Sequence, residues 1–256
     1  MRLVRFAVQD RVKYGRLEGE AIYALEKSPF AHPGEITSKG IIYRLDDVKL
    51  LAPCLPSKIV CLGLNYHSHA EELGMSPPSV PFIFLKPPTA IIGPDDEIIL
   101  PRLSRRVDYE GELAVVIGKE AKDVPESKAA DYVLGYTCFN DVTERYFQQE
   151  KGQWTRAKSY DTFAPLGPWI ETEVSPDDLK LETYLNGELR QSARTSDLIF
   201  GIPELISFIS SIMTLLPGDI IATGTPSGIG PLAPGDVIEV KIDKIGCLRN
   251  FVVGRE

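Results

Sequence analysis

The sequence predicts a mixed, mainly β (α+β) fold for this chain of 256 residues. Most apolar residues occur in short runs bounded by Pro, Gly or charged residues, which is typical of strands. The Asn-Gly pair at 186–187 lies between two such runs and predicts a hairpin turn. Apolar positions at helical spacing are confined to a few segments, among them 202–213. Together these observations predict a β-rich molecule with a few helices.

The first fifty residues alternate short apolar segments, such as 3–8 and 21–25, with charged turns. This pattern predicts a small antiparallel sheet. Residues 51–57 contain two prolines and read as a connection into a larger unit. We therefore expect a small N-terminal β domain over residues 1–55 and a larger domain over residues 56–256.

The larger domain begins with a strand at 58–63 that leads into a short helix over 64–74, which Gly74 ends. Further strands are predicted within 81–88, 97–100, 113–117 and 132–139, followed by a helix through 143–149. Residues 181–190 form the hairpin, and the helix at 202–213 tolerates Pro203 in its first turn. Pro-Gly-Asp turns at 217–219 and 234–236 each open a strand, with a loop of small residues at 222–230 between them.

Composition excludes several classes of function. The chain has 28 Lys+Arg against 36 Asp+Glu, a net charge of −8, and no basic stripe, so nucleic-acid binding is not expected. No apolar stretch reaches transmembrane length, and the N-terminus lacks the apolar core of a secretory signal. The four cysteines form no CxxC or metal-binding pattern. We expect reduced thiols in a cytoplasmic protein that acts on a small molecule.

Two carboxylates open an otherwise apolar run at 107–118. Glu110 and Glu112 are two residues apart, so on a strand they point to the same face, roughly 7 Å apart along it. Aligned negative charges beside a buried segment are costly unless a cation neutralises them. The alternative is an edge strand with a solvated face, although the run Leu113–Ile117 favours a strand covered on both sides.

A third carboxylate, Asp141, follows the strand predicted at 132–139. By itself it fits an N-cap of the next helix. With Glu110 and Glu112 it completes an all-oxygen triad that favours Mg²⁺ or Mn²⁺, with Ca²⁺ possible, over zinc. The sequence thus predicts a hard-metal site at Glu110, Glu112 and Asp141.

Polar residues with catalytic potential follow the triad. Arg145 and Gln148 are helical neighbours that share a face, although solvated surface is the usual place for such residues. Lys158 lies among small and aromatic residues and could orient or protonate an anionic intermediate. His69 and Glu72 are three apart on the first predicted helix, so the carboxylate could orient the imidazole as a general base. Asp108 reads as a strand-entry residue and is assigned no role.

Several motifs in chain order resemble the fumarylacetoacetate hydrolase family, over about residue 57 to the C-terminus. They are Lys58–Tyr66, Phe84–Pro87, Glu110–Gly118, Asn140–Thr143, Ala157–Asp161 and Pro217–Pro226. The N-terminal fifty residues match only loosely. The resemblance implies a rolled mixed β-sheet domain with short helices, a homodimer, and a metal bound at the mouth of the sheet. The match includes the branch of 2-hydroxyhepta-2,4-diene-1,7-dioate isomerases and acylpyruvases.

Residue roles are also implied by the resemblance. The metal carboxylates correspond to Glu110, Glu112 and Asp141, and the substrate-contacting residues to Arg145, Gln148 and Lys158. The loop Gly224-Thr225-Pro226 would contact a substrate carboxylate. The family's lid pair corresponds to His69 and Glu72, while His67 with Glu71 is a competing pairing.

A 2-oxo acid can chelate Mg²⁺ and form an enolate that the metal stabilises. We favour hydrolytic C–C bond cleavage of an acylpyruvate-like substrate. Isomerisation of a 2-hydroxyhepta-2,4-diene-1,7-dioate-like compound and decarboxylation, for example of oxaloacetate, are the alternatives within the same chemistry. A ligand-binding homologue without turnover and a purely structural domain are the remaining alternatives.

Overall fold

The structure is a computed structural model that describes residues 1–9, 11–31, 36–149 and 154–255. Its strands are β1 (Arg2–Val8), β2 (Arg11–Glu18), β3 (Ala21–Leu25), β4 (Ser38–Arg44), β5 (Lys49–Leu51), β6 (Ile59–Leu62), β7 (Ile83–Lys86), β8 (Ile91–Ile92), β9 (Glu97–Leu100), β10 (Val107–Tyr109), β11 (Gly111–Ile117), β12 (Val133–Asn140), β13 (Thr143–Glu144), β14 (Ala164–Glu171), β15 (Lys180–Leu185), β16 (Glu188–Arg194), β17 (Ile220–Ala222), β18 (Gly230–Pro231), β19 (Val237–Ile242) and β20 (Gly246–Gly254). The helices are α1 (His67–Glu72), α2 (Arg145–Gln149), α3 (Trp154–Lys158) and α4 (Ile202–Ile212). Short 3₁₀ helices span Leu45–Asp47, Pro88–Ala90, Glu126–Tyr132 and Thr195–Asp197. The prediction of a mixed, mainly β fold is confirmed.

The N-terminal strands form the predicted antiparallel sheet, in the order β4-β3-β2-β1. This sheet does not end at the predicted domain boundary. β1 also pairs with β14 through Arg2↔Glu171 and Leu3↔Ile170, so one sheet runs from β4 to β7. The division at residue 55 therefore stays a prediction about domains, while the hydrogen bonding is continuous across it.

The strand that contains Glu112, and that Glu110 directly precedes, lies in the middle of this sheet. β11 is paired antiparallel with β12 on one side and β17 on the other, and all seven of its residues are buried. The alternative of an edge strand is therefore wrong, because the apolar residues that follow Glu112 fill the space between layers. Parallel pairing of β17 with β6 makes the sheet mixed.

A second sheet, ordered β16-β15-β19-β20-β9, packs against the first. The core between them contains Val115 of β11, Leu181 of β15 and Val240 of β19. The predicted helix at 202–213 covers this core as α4, which buries Leu205 and Ile209 on its apolar face. No helix in the described ranges is long and apolar enough to cross a membrane.

Two local predictions had different outcomes. The hairpin turn is present, with φ of 53° at Asn186 and 79° at Gly187, as a type I′ turn requires. The helix predicted through 143–149 begins only at Arg145, because the backbone of Thr143 and Glu144 pairs with β10. Asp141 is consequently not its N-cap. Glu144 instead accepts a bond from Phe147 N at 2.7 Å.

The cysteines are all reduced within the described ranges. Cys54, Cys61 and Cys138 are buried, and Cys247 is exposed. Burial raises the pKa of the Cys54 thiol, so this side chain behaves as a small apolar group. The expectation of buried, unreactive thiols is thus met at three of the four positions.

Candidate active site

Three carboxylates meet where β10 passes into β11 beside the end of β12. Oxygen atoms of Glu110, Glu112 and Asp141 lie within 4.8 Å of one another, and all three side chains are buried. The sheet brings them together, since Asp141 N donates to Glu110 O at 2.9 Å and Glu110 N donates to Asn140 Oδ1 at 2.9 Å. The triad is therefore fixed by backbone register rather than by flexible side chains.

Two buried lysines neutralise part of this triad. Lys158 Nζ donates to Glu110 Oε2 at 2.9 Å and to Asp141 Oδ2 at 2.6 Å. Lys86 Nζ donates to Asp141 Oδ1, and to Val142 O at 3.0 Å. Burial would lower the pKa of Lys158, but Asp141 and Glu110 outweigh that effect and raise it. The ammonium of Lys158 thus stays charged and acts as a hydrogen-bond donor.

The two glutamates of the triad differ in how far neighbouring positive charges balance their negative charge. Burial alone would raise the pKa of Glu110, yet Lys158 and Arg145 together lower it well below its usual range. The pKa of Glu112 is raised by burial and by the neighbouring charges of Asp141 and Glu110. Gly224 N donates to its Oε2 at 2.9 Å, while its Oε1 has no hydrogen-bond partner among the described residues.

That unpaired oxygen is where the triad fits a metal ion. A buried carboxylate oxygen without a donor is costly, and a hard divalent cation that also contacts Glu110 and Asp141 would satisfy it. The donor set contains oxygen alone, as Mg²⁺ and Mn²⁺ prefer. The residues present therefore fit a divalent cation.

Arg145 links the triad to a buried aspartate. Its guanidinium contacts Asp108 Oδ2 at 2.8 Å, Gln148 Oε1 at 2.8 Å and Glu110 Oε1 at 2.5 Å. Arg145 and Gln148 thus share a face as predicted. Asp108, to which the sequence assigned no role, is fully buried and also accepts a hydrogen bond from Arg106 Nε at 2.8 Å. The available indication was the alternation of the charged residues Arg106, Asp108 and Glu110 in the sequence.

Helix α1 contains the candidate catalytic histidine, His69. His69 Nδ1 lies 2.7 Å from Glu72 Oε2, and Glu72 Oε1 accepts from Gly228 N at 3.0 Å. His67 and Glu71, the competing pair, are both exposed. The structure therefore forms the pairing of His69 with Glu72. With Nδ1 held by the carboxylate, Nε2 is the nitrogen left to accept a proton.

The loop Gly224-Thr225-Pro226 is hydrogen-bonded to the strand that contains Glu112. Gly224 N donates to the Glu112 carboxylate, and Thr225 Oγ1 donates to Gly111 O at 2.9 Å. Gln191, buried on β16, accepts from Gly111 N and donates to Thr225 Oγ1 and Pro226 O. A Cβ at Gly224 would lie 2.8 Å from Asn65 Cβ, so only glycine fits there. Contacts from this loop to a substrate carboxylate stay a prediction.

Lys86 and Gln191 were missed as site residues by the sequence reasoning. Lys86 lies inside the motif Phe84–Pro87 and is buried. The available indication was its position in the sequence, directly after an apolar run and directly before two prolines. Nothing local marks Gln191, because its partners are 34 to 80 residues away in the chain.

Several of these groups line one cavity of about 760 Å³, among them Glu110, Lys158 and His69. Its wall contains both charged and apolar side chains. The residues that line it are Leu62, Gly63, Leu64, His69, Leu73, Met75, Ser76, Pro78, Phe82, Arg106, Asp108, Glu110, Arg145, Gln148, Trp154, Lys158, Thr225 and Ile229. The arrangement can hold a small acid with its carboxylate near the cations Arg145 and Lys158 and its carbon chain against apolar side chains of the wall.

Comparison with known proteins places this fold and site in a family. Residues 58–253 match the profile described as Fumarylacetoacetate (FAA) hydrolase C-terminal, and residues 1–53 match that described as Rv2993c-like, N-terminal. The chain is 47% identical over 228 residues to oxaloacetate tautomerase YisK of Bacillus subtilis (strain 168), covering 83% of this chain and 76% of that protein.

Solved structures agree over the full length. A 2-hydroxyhepta-2,4-diene-1,7-dioate isomerase from Mycobacterium marinum is 47% identical with a TM-score of 0.93, covering 100% of this chain and 99% of that chain. A maleylpyruvate hydrolase from Sphingobium sp. SYK-6, solved in complex with manganese (II) ion and pyruvate, is 34% identical with a TM-score of 0.82, covering 100% of both chains. This chain therefore belongs to the fumarylacetoacetate hydrolase family.

Proposed function

We propose that this protein is a divalent-metal-dependent enzyme that cleaves a C–C bond of an acylpyruvate-like 2-oxo acid by hydrolysis. The observation that carries the proposal is the pair His69–Glu72, with Nδ1 2.7 Å from the carboxylate, because His69 lines the same cavity as Glu110 of the carboxylate triad. Such a pair can activate water, which only the hydrolytic reaction requires.

Glu110, Glu112 and Asp141 would hold Mg²⁺ or Mn²⁺, with Ca²⁺ as a weaker fit. When bound, the ion supplies Lewis-acid stabilisation of the negative charge that develops on the 2-oxo group. The manganese and pyruvate in the related maleylpyruvate hydrolase support this choice. The chain's own groups then account for binding, orientation and proton transfer.

In this proposal Arg145 and Gln148 orient the carboxylate of the substrate, because both donors line the cavity beside Glu110. Lys158 stays protonated and donates to the oxygen on which charge develops. His69 Nε2 removes a proton from water, whose hydroxide attacks the acyl carbonyl. The C–C bond breaks with its electron pair on the pyruvate carbon, which then takes up a proton.

A second candidate is a proton transfer without water, as in a keto–enol tautomerase or a dienedioate isomerase. The identities of 47% to an oxaloacetate tautomerase and to a 2-hydroxyhepta-2,4-diene-1,7-dioate isomerase favour it. It uses the same triad and Lys158 and does not depend on the activation of water. Decarboxylation of a 2-oxo acid belongs to the same group of reactions.

The test is a substrate panel with purified protein. Acylpyruvates, oxaloacetate and a 2-hydroxydienedioate are incubated with EDTA, Mg²⁺ or Mn²⁺, and products are identified by mass spectrometry. Metal-dependent release of pyruvate and a carboxylic acid supports the hydrolase. Isomerised or decarboxylated products without hydrolysis support the second candidate, and metal binding without turnover of any substrate supports a ligand-binding homologue.

The proposal includes a homodimer in the cytoplasm, as the resemblance and the cysteine pattern predict. Sedimentation equilibrium measures the oligomeric state, and fractionation of the source cells measures the location. A monomer at micromolar concentration would contradict the first expectation without affecting the reaction proposed.

A further inference from the structure

A chain of hydrogen bonds joins the strand that leads into the triad to the His69–Glu72 pair. Tyr109 directly precedes Glu110, and its hydroxyl donates to Gly228 O at 3.0 Å. Gly228 N donates to Glu72 Oε1 at 3.0 Å, and Glu72 Oε2 lies 2.7 Å from His69 Nδ1. Gly228 is 119 positions from Tyr109 and 156 from Glu72, so only the fold brings these groups together.

Tyr109 itself lies outside the cavity. The residues on either side of it, Asp108 and Glu110, line the cavity. Tyr109 is 2% exposed and packs in an apolar cluster with Val107. A phenyl ring alone would satisfy that packing, so the contribution of the hydroxyl is its bond to Gly228. Any effect of this hydroxyl on the reaction must therefore pass through the loop that contains Gly228.

Gly228 has a backbone that needs to be held in place. Its φ is 98°, and a Cβ there would lie 2.2 Å from Arg190 O, so only glycine fits. Glycine also has the greatest backbone freedom of any residue. A donor that fixes its C=O limits the rotation that would turn its N–H away from Glu72. Within the described part of the chain, the hydroxyl of Tyr109 is the one donor to Gly228 O.

The hydroxyl of Tyr109 is itself held at a defined position. β10 pairs with β18 so that Tyr109 lies opposite Gly230. A Cβ at Gly230 would lie 2.8 Å from Tyr109 Oη, so the ring lies directly against the glycine and a larger residue would displace it. The position of the strand that leads into the triad is thus transmitted to Gly228, and from there to Glu72.

We infer that Tyr109 is a positioning residue for the His69–Glu72 pair, because its hydroxyl fixes Gly228 and the amide of Gly228 orients the carboxylate. The inference rests on the proposed function, in which His69 removes a proton from water. The side chain of Glu72 is 35% exposed, so without the amide it would sample several rotamers. His69 would move with it, and a displacement of about 1 Å lowers the rate of a reaction up to about a hundredfold.

The first measurement does not require turnover. The proton between His69 Nδ1 and the carboxylate of Glu72 gives a downfield ¹H NMR resonance while the pair is held together, and its absence from His69→Gln assigns it. We expect this resonance in wild-type protein and its loss or broadening in Tyr109→Phe. Gly230→Ala keeps the hydroxyl but displaces it, so we expect the same loss from this variant.

Steady-state kinetics and Mn²⁺ titration give the second measurement. Tyr109→Phe should lower kcat for hydrolysis about tenfold, with KM and Mn²⁺ affinity within about twofold, because the hydroxyl contacts neither the cavity nor the triad. In protein that already contains His69→Gln, the further change should be less than about twofold, because the pair that Tyr109 positions no longer acts.

Tyr136→Phe is the matched control. Tyr136 is also a buried tyrosine, 8% exposed, but it lies on β12 in another part of the core and takes no part in this chain of hydrogen bonds. This variant should keep both the resonance and the kcat of wild-type protein.

The outcomes separate this inference from the proposed function. Persistence of the resonance in Tyr109→Phe overturns the inference, as does its loss with an unchanged kcat, or its absence from wild-type protein. An equal effect of Tyr136→Phe also overturns it, because it indicates a general loss of stability. If wild-type protein hydrolyses no substrate, the proposed function fails, and the resonance alone then decides whether Tyr109 positions the pair.

Discussion

The carboxylate triad and helix α1 each contribute a residue to the same cavity, Glu110 and His69, but the two regions are held in different ways. Glu112 lies on β11, Glu110 directly precedes this strand and Asp141 directly follows β12. Hydrogen-bonded strands flank β11 on both sides, and all three side chains are buried. α1 has six residues, and no side chain caps its N-terminus. It is held by side-chain bonds to distant loops, Ser68 to Asp197 and Glu72 to Gly228. We infer a rigid metal site and an adjustable proton-transfer pair.

Removal of a carboxylate from the triad should have the largest effect on metal binding and activity. In Glu112→Gln the oxygen that lacks a partner no longer binds a cation, so we expect Mn²⁺ affinity to fall more than about a hundredfold and turnover to be lost. Calorimetry measures the affinity. Stability of the metal-free protein should change little, because the raised pKa of Glu112 favours its neutral form, which glutamine resembles. Exposed Glu120→Gln is the control, and unchanged Mn²⁺ binding in Glu112→Gln would contradict the triad.

On the adjustable side, His69→Gln should reduce hydrolysis by about a thousandfold while metal affinity stays unchanged. The reason is that His69 and Glu72 contact neither Glu112 nor Asp141 in the hydrogen bonds described. Steady-state kinetics and Mn²⁺ titration measure the two effects. His67→Gln, on the exposed face of the same helix, should be close to wild type. Isomerisation that survives in His69→Gln would favour the second candidate function.

Substitution of the two glutamates of the triad should affect the stability of the protein to different extents. Glu110→Gln leaves the buried ammonium of Lys158 and the guanidinium of Arg145 with one partner fewer. We expect the free energy of unfolding of the metal-free protein to fall by about 3 kcal/mol, against less than about 0.5 kcal/mol for Glu112→Gln. Urea unfolding in EDTA measures both. An equal loss in the free energy of unfolding would show that the charges of the two carboxylates are balanced to the same extent.

The same contrast predicts a pH dependence of metal stabilisation. Glu112 has a raised pKa, so its contribution to metal-free stability is full below the unfolded value near 4.3 and is lost as pH rises through the folded pKa. Metal binding requires the ionised form, so added Mn²⁺ should raise Tm more at higher pH. Thermal unfolding with EDTA or Mn²⁺ from acidic to neutral pH tests this. A constant shift would be the contrary result.

The smallest expected effect is at the tether of α1. Asp197→Ala removes the acceptor for Ser68 N and Ser68 Oγ, at 3.2 and 2.8 Å. We expect a loss of a few-fold in kcat, about 1 kcal/mol, with unchanged Mn²⁺ affinity, because only the position of His69 is loosened. Asp178→Ala, which removes a surface partner of Arg194, is the control. A change in metal affinity would mean that α1 and the triad are coupled.

Local patterns in the sequence were sufficient for several elements. The hairpin at Asn186-Gly187 and the apolar face of α4 depend on residues close in the chain, and both are present. Glu110 and Glu112 do lie close together, although only Glu112 is on the strand, and the membership of the fumarylacetoacetate hydrolase family was predicted correctly. These features depend on strand alternation and on short ordered motifs, which a single chain displays directly.

Other features required long-range contacts. The start of α2 was misplaced because Thr143 and Glu144 pair with β10, some 36 residues away. Asp108 was given no role, although its burial between Arg106 and Arg145 depends on the pairing of β10 with β13. No local pattern specifies that pairing, so the sequence could not show which charges Asp108 would meet.

The sequence by itself determined which functional groups are available: three carboxylates that could hold a divalent cation, and a histidine three residues from a glutamate. Tertiary structure alone decided how the charges are shared, with Lys86 and Lys158 on Asp141, Arg145 on Glu110, and Glu112 left with an unpaired oxygen. The physical reason is that the kind of ligand is a property of a side chain. The pKa and reach of each group depend instead on which strands pair and what they bury.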